Sequence, residues 1–207
     1  MKPISAAVLA LFAVAPAFAS TPFTVDFETP WAYDTAVDGY YGGGTASDGS
    51  SGTNLGVSFV GVVGLSNDSN FTYYSGAPSP VGVAYAYTDS ATPKALLNVA
   101  AGAIGHLSFY YSSPAAAAGA VKAYSGLNGT GTLLGSIDLA ANDGGSYATW
   151  TKKSLYFSGT ALSFDLSGSA SGVALDNIQG VPEPTTVALL LAGLGVVTLS
   201  AYRRRER

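Results

Sequence analysis

Residues 81–87 read VGVAYAY, and the fold turns on how that heptapeptide is placed. Val81, Val83, Tyr85 and Tyr87 fall on one side of an extended chain, with Gly82, Ala84 and Ala86 on the other. A period of two is the signature of a strand. The small residues on the second face would let another layer approach closely. The same period recurs on both sides of the heptapeptide. FTVDF (23–27) sets Phe23, Val25 and Phe27 against Thr24 and Asp26. HLSFYY (106–111) aligns Leu107, Phe109 and Tyr111, and ALSFDL (161–166) aligns Leu162, Phe164 and Leu166. Further strand patterns cover 57–63, 95–99, 121–124, 133–139, 149–157 and 172–178, separated by clusters of Gly, Asn, Asp and Ser. Asn128-Gly129, between two of them, supplies the positive φ angles of a hairpin turn. Ten short strands in one chain predict an all-β protein, a single jelly-roll-type β-sandwich.

Composition agrees with this reading. The 207 residues include 26 Gly and 13 Tyr but only 11% charged residues, which suits strands and turns and disfavours a helical bundle. Cysteine is absent, so thiol catalysis and cysteine-based zinc sites are excluded.

The two ends differ in character from the middle. MKPISAAVLALFAVAPAFAS combines a basic start at Lys2, an apolar run and the small-x-small pattern Ala17-Phe18-Ala19 ahead of Ser20. That is the layout of a secretory signal peptide over 1–19, cut by signal peptidase before Ser20. At the C-terminus no charge occurs from Pro184 to Tyr202. A helix over 185–202 rises ~1.5 Å per residue and reaches roughly 27 Å, close to the ~30 Å hydrocarbon core of a bilayer. Arg203, Arg204, Arg205 and Arg207 follow at once. Basic residues beside a membrane segment stay cytoplasmic, so the body, 20–180, is expected outside the inner membrane.

Val181-Pro182-Glu183-Pro184, the apolar run and the arginine cluster together resemble the PEP-CTERM sorting signal of exported proteins in Gram-negative bacteria, here over 181–207. The resemblance implies recognition by an exosortase, cleavage near Pro-Glu-Pro, and release or transfer of the body toward the cell surface in a polysaccharide- and biofilm-forming organism. The two prolines keep the Glu183 backbone extended, as a protease requires. The body itself, through FYYSSP (109–114), VKAYSGLNGTGTLLGSIDL (121–139) and VALDNI (173–178), resembles galactose-binding-like and carbohydrate-module-like sandwiches.

From Ser20 to Gly180 the body carries four lysines against eleven Asp and Glu, a formal charge of −7. An acidic body repels phosphate backbones, so nucleic acid is not an expected partner. Catalysis finds little support. His106 is the single histidine, on the strand face opposite Leu107 and Phe109, and G-x-S-x-G, Walker and H-E-x-x-H patterns are all missing. No catalytic residue is expected.

Two binding possibilities remain. Glu28 follows the first strand and Asp176 lies in the last; terminal strands of a jelly roll often lie close, so these oxygens could join main-chain carbonyls around calcium. The resemblance to carbohydrate modules implies one structural calcium at that seam. No other cofactor is expected. The Gly-rich stretch 29–54 reads as a long loop holding Trp31, Tyr33, Tyr40 and Tyr41. Their faces could stack on sugar rings, with Asp34, Asp38 and Asp48 accepting hydroxyl hydrogen bonds. The alternative is that Trp31 and Tyr33 plug one end of the sandwich. The expectation for function is an exported, non-catalytic surface or matrix protein associated with extracellular polysaccharide, with a polysaccharide-binding module as the alternative and a glycan-active enzyme third.

Overall fold

The computed structural model describes residues 22–66, 74, 76–170 and 172–180, all within one compact unit, Ser20–Glu183. The signal peptide, the membrane segment 185–202, the Pro-Glu-Pro motif and the arginines lie outside the described residues. Ten strands form: β1 (Phe23–Val25), β2 (Thr35–Ala36), β3 (Val57–Val60), β4 (Val62–Ser66), β5 (Gly82–Ala86), β6 (Leu96–Ser112), β7 (Ala117–Tyr124), β8 (Leu133–Leu139), β9 (Thr151–Asp165) and β10 (Ala174–Gly180). Two single-turn 3-10 segments, Leu127–Gly129 and Ser167–Ser169, are the helical elements among the described residues. The all-β class therefore holds.

Every pairing is antiparallel, and the strands join into one open sheet in the order β2-β4-β5-β10-β6-β9-β7-β8, with β1 added to β10 and β3 to β6. The layers are continuous because β6 and β9 are long enough to serve both halves. The C-terminal half of β6 lies between β10 and β9, and its N-terminal half lies between β3 and β9.

This continuity departs from the strand count expected from sequence. The patterns at 95–99 and 106–111 are one strand of 17 residues, and those at 149–157 and 161–166 are one of 15. The residues that looked like separators are bulges: Gly102 (φ 79°) and Gly105 (φ 75°) take left-handed backbone where the β6–β9 register shifts, facing Gly159 (φ 85°). Such a glycine inserts an extra residue and sharpens the twist while pairing goes on. The opposite happens at 57–63, where Gly61 (φ 62°) divides one apparent strand into β3 and β4.

Between its exposed ends, Val81 and Tyr87, the VGVAYAY stretch is covered on both faces. Ala84 and Ala86 face the main core, and Val83 and Tyr85 pack into a second cluster with Tyr74, Ala77, Tyr147 and Trp150. Small residues do admit a second layer, and the group that enters is Trp31. A Cβ on Gly64 would lie 2.7 Å from the Trp31 ring, and one on Gly82 3.1 Å from it. The main core is otherwise built from inward residues such as Phe27, Phe59, Leu107, Phe109, Tyr111, Phe164 and Ile178.

The hairpin expected around Asn128-Gly129 forms between β7 and β8. Its connection is longer than a two-residue turn, closed by Ser125 N–H to the Thr132 carbonyl (3.0 Å) and Gly126 N–H to the Thr130 carbonyl (2.9 Å). Asn128 (φ 58°) and Gly129 (φ 65°) both take the left-handed backbone their sequence favours.

Candidate functional site

The first and last strands are neighbours. Phe23, Thr24 and Val25 pair with Gly180, Gln179 and Ile178, which brings the acids that leave β1 toward Asp176 on β10. Asp176 is fully buried. One of its oxygens accepts the Ser79 N–H at 2.8 Å and the other accepts the Asn177 N–H at 2.7 Å. Glu28 is exposed, and its Oε1 accepts the Val81 N–H at 2.7 Å, tying the exit of β1 to the entry of β5. Asp26 Oδ1 accepts the Glu28 N–H at 3.3 Å. Burial pushes the Asp176 carboxyl up to about 7; its two N–H donors oppose the rise, while Glu28 and Asp26 add to it by repulsion. Beside them the Tyr41 hydroxyl, buried near the Phe27 main chain, completes no hydrogen bond. Burial and the nearby Asp26 charge hold that phenol far above its ordinary range.

The chemistry of this seam suits a hard cation: carboxylate oxygens carrying negative charge, one of them buried, and a buried hydroxyl left over. Its donor count from side chains is short, since among the described residues no three Asp, Glu or His side chains converge as a metal cage. Main-chain carbonyls or water would have to complete any coordination.

The aromatic residues of 29–54 are mostly turned inward. Trp31 (3% exposed) and Tyr41 (5%) belong to the core, and the Trp31 indole N–H donates to the Phe27 carbonyl at 3.0 Å. Neither offers a face to a sugar, which corrects the stacking expectation for these two. The physical reason is that Gly64 and Gly82 leave room for the indole, Tyr40 and Tyr41 meet its ring edge-to-face, and Tyr41 in turn packs against Phe27 and Phe59. Tyr40 is half-buried, its hydroxyl 3.1 Å from Thr29 Oγ1. Tyr33 alone of the four stands free, at 91% exposure, so of the pair expected to plug the sandwich only Trp31 does so. Asp48 is engaged within its own turn by the Ser50 N–H (2.9 Å) and the Ser50 hydroxyl (2.6 Å).

His106 sits on the outer face of β6 opposite Tyr156 of β9, ring centroids 5.5 Å apart. Two further constellations escaped the sequence reading. Asp143 gathers the N–H groups of Gly145, Tyr147, Ala148 and Thr149 at 2.7–3.0 Å and so folds the 143–149 segment around one carboxylate. Asn54, Ser58, Asn98 and Asn128 line an open cleft. For the first, the Asp-Gly-Gly-Ser run was a usable turn signal; for the second, the residues come from three separated segments and only folding joins them.

β10 ends at Gly180, where a side chain would strike the Phe23 ring, 2.1 Å from a Cβ. At this residue the sorting segment begins: residues 180–205 match the PEP-CTERM protein-sorting motif. The chain is thus an all-β body followed directly by a PEP-CTERM signal, a signal that implies export, C-terminal membrane anchoring before processing, and an exosortase as the processing enzyme. No curated protein matches the chain in sequence. Among solved structures it is similar to a glycoside hydrolase family 43 arabinoxylan arabinofuranohydrolase from Bacillus subtilis (16% identity, TM-score 0.40, 59% of this chain and 24% of that one). It is also similar to CBM35 from Paenibacillus barcinonensis (19%, 0.37, 59% and 90%) and to a β-1,3-glucan binding CBM6 from Bacillus halodurans (14%, 0.39, 59% and 87%). The chain spans about a quarter of the hydrolase, and a likeness this loose assigns it no ligand and no activity.

Proposed function

We propose that the protein is an exported, non-catalytic component of the cell surface or extracellular matrix of a Gram-negative bacterium, associated with exopolysaccharide or biofilm. Three parts carry out the delivery. Residues 1–19 direct export and are cut after Ala19; 20–180 are the folded cargo; 181–207 hold it at the inner membrane through the 185–202 helix, with Arg203, Arg204, Arg205 and Arg207 on the cytoplasmic side, until the exosortase acts at Val181–Pro184. The observation that carries this reading is the match of 180–205 to the sorting motif, starting at the last residue of the final strand. The non-catalytic part is supported by His106, which packs on the Tyr156 ring and, among the described residues, has no nucleophile or carboxylate bonded to it. In the host, Pro182→Ala/Glu183→Ala/Pro184→Ala protein should accumulate uncut in the membrane fraction while wild-type body reaches the surface. Recovery of intact wild-type chain, both ends uncut, from the soluble cytosol overturns the reading.

A second proposal concerns the seam: a structural calcium held by Asp176 and Glu28. Its support is a buried carboxyl, raised to about 7, with no basic side chain against it among the described residues. An unfolded Asp titrates near ~3.9, so the folded chain binds the proton more tightly and loses stability as pH rises from about 4 to about 7. Calcium favours the carboxylate and restores that stability. Calcium should therefore raise the Tm near pH 8 more than near pH 5, and Asp176→Asn should abolish the difference. Equal Tm with calcium and with chelator near pH 8 rules the ion out. A polysaccharide-binding role is the second functional reading, favoured by the cleft argued below.

A further inference from the structure

A cleft of about 480 Å³ opens between the end of the 42–58 excursion and the Leu127–Gly129 turn, with β6 as its floor. That volume lies within the range of small-ligand sites. Ser58 of β3 and Asn98 of β6 are direct cross-strand partners. Asn98 is locked to the turn: its Nδ2 donates to Asn128 Oδ1 at 3.0 Å, and its Oδ1 accepts the Asn128 N–H at 2.8 Å. The turn is pinned again by the Gly129 N–H donating to Ser163 Oγ at 2.9 Å. On the other wall Asn54 uses its Oδ1 to accept the Gly56 N–H at 2.8 Å.

These bonds orient the amides and leave specific groups over. Among the described hydrogen bonds none engages Asn54 Nδ2, Asn128 Nδ2 or Ser58 Oγ, so two amide donors and one hydroxyl line the cleft. Gly56 (φ 75°) has no atom within 4 Å of where a Cβ would stand, and Leu127 is 42% exposed beside it. The lining is therefore a set of preorganised amides around a bare backbone and one aliphatic side chain, with no ionised residue among the lining groups. The nearest charges, the Lys94 ammonium and the Asp165 carboxylate, lie together beside Gly129 and outside the lining, and the body's net charge of −7 repels polyanions. A ligand with hydroxyls on its edges and apolar C–H faces meets all three features.

We propose that this cleft binds uncharged glycan, one neutral sugar residue seated on Asn54, Asn128 and Ser58 with its C–H face on Leu127. The proposal rests on the polysaccharide-binding reading and adds the site and the charge class. The test is affinity electrophoresis of the full-length protein in a non-glycosidic detergent, with dextran, galactomannan and mixed-linkage β-glucan as neutral probes and alginate as the acidic one. Wild type should be retarded by at least one neutral polymer and not by alginate. Asn54→Asp keeps the acceptor to Gly56 and the side-chain shape while removing the free amide donor; Asn128→Gly keeps the left-handed backbone while removing the amide. Each should weaken retardation about tenfold, the equivalent of one or two lost hydrogen bonds, with the Tm of Asn54→Asp unchanged. Retardation by alginate alone overturns the neutral-glycan site, and retardation by none of the four polymers overturns both the site and the polysaccharide-binding reading. Neutral-glycan binding at full strength in both variants overturns the site and leaves that reading standing.

Discussion

Two loops of this body are ordered by different forces. The 29–54 excursion is held by burial: Trp31, Val37, Tyr41 and Ala46 are all in the core, and the loop adds β2 and the bridges Gly42–Asn54 and Thr45–Ser51. The 143–149 segment buries little and is held by a single carboxylate collecting four main-chain N–H groups. Tyr147 is carried by it, in left-handed backbone (φ 52°), against Tyr74 and Tyr85 at ring distances of 5.9 Å. Glycine and aromatic content alone would have marked the first loop as the mobile one. A loop's order instead follows from whether its side chains find a slot or its backbone finds an acceptor.

The comparison can be broken most forcefully at Trp31. Trp31→Ala should cost about 3–5 kcal/mol in urea unfolding, because it empties a slot that Gly64 and Gly82 keep open. A loss below about 1 kcal/mol would mean the excursion is not part of the core.

The 143–149 loop should respond to acid instead. Burial acts against the ionised Asp143 carboxylate, yet the N–H groups of Thr149, Tyr147 and Gly145 with the Ser146 hydroxyl hold its pKa well below the usual range. Its contribution is present above the ~3.9 of an unfolded Asp and is lost as pH falls through the lower folded value. Amide exchange of 145–149 should accelerate below about pH 4, or at neutral pH in Asp143→Asn, while exchange in β6 stays slow. Uniform behaviour of the two regions would show that the carboxylate does not organise the loop. Asp176 has the opposite sign, gaining stability on acidification, so the two acids are separable in one titration.

The smallest effect is expected at Tyr33. At 91% exposure, Tyr33→Ala should change stability by less than about 0.5 kcal/mol. A larger loss would show that the tip of the excursion is packed.

Much of this was legible in the chain. Alternation in FTVDF and HLSFYY located β1 and the inward residues of β6, and ALSFDL located Phe164 and Leu166 but not Leu162, which is only half-buried while Ala161 takes a core place. The left-handed Asn128-Gly129 pair and the terminal sorting segment were legible too, each resting on local chemistry, whereas the closeness of the first and last strands followed only from the expected jelly-roll architecture. What could not be read was which glycines interrupt a strand and which only bend it. Gly61 separates β3 from β4, whereas Gly102, Gly105 and Gly159 are bulges inside β6 and β9; the difference depends on what the partner strand does. Nor could sequence show that Trp31 lies inside and Tyr33 outside two residues later.

Local residue order by itself determined which stretches are extended and the address at the C-terminus, since period, φ preference and charge act over a few residues. Only the tertiary structure decided that the small face of VGVAYAY would receive Trp31, that Asp176 would be buried, and that three asparagines from distant segments would share one cleft. Those outcomes depend on which surfaces meet, and contact across fifty or more residues is written in no single stretch of the chain.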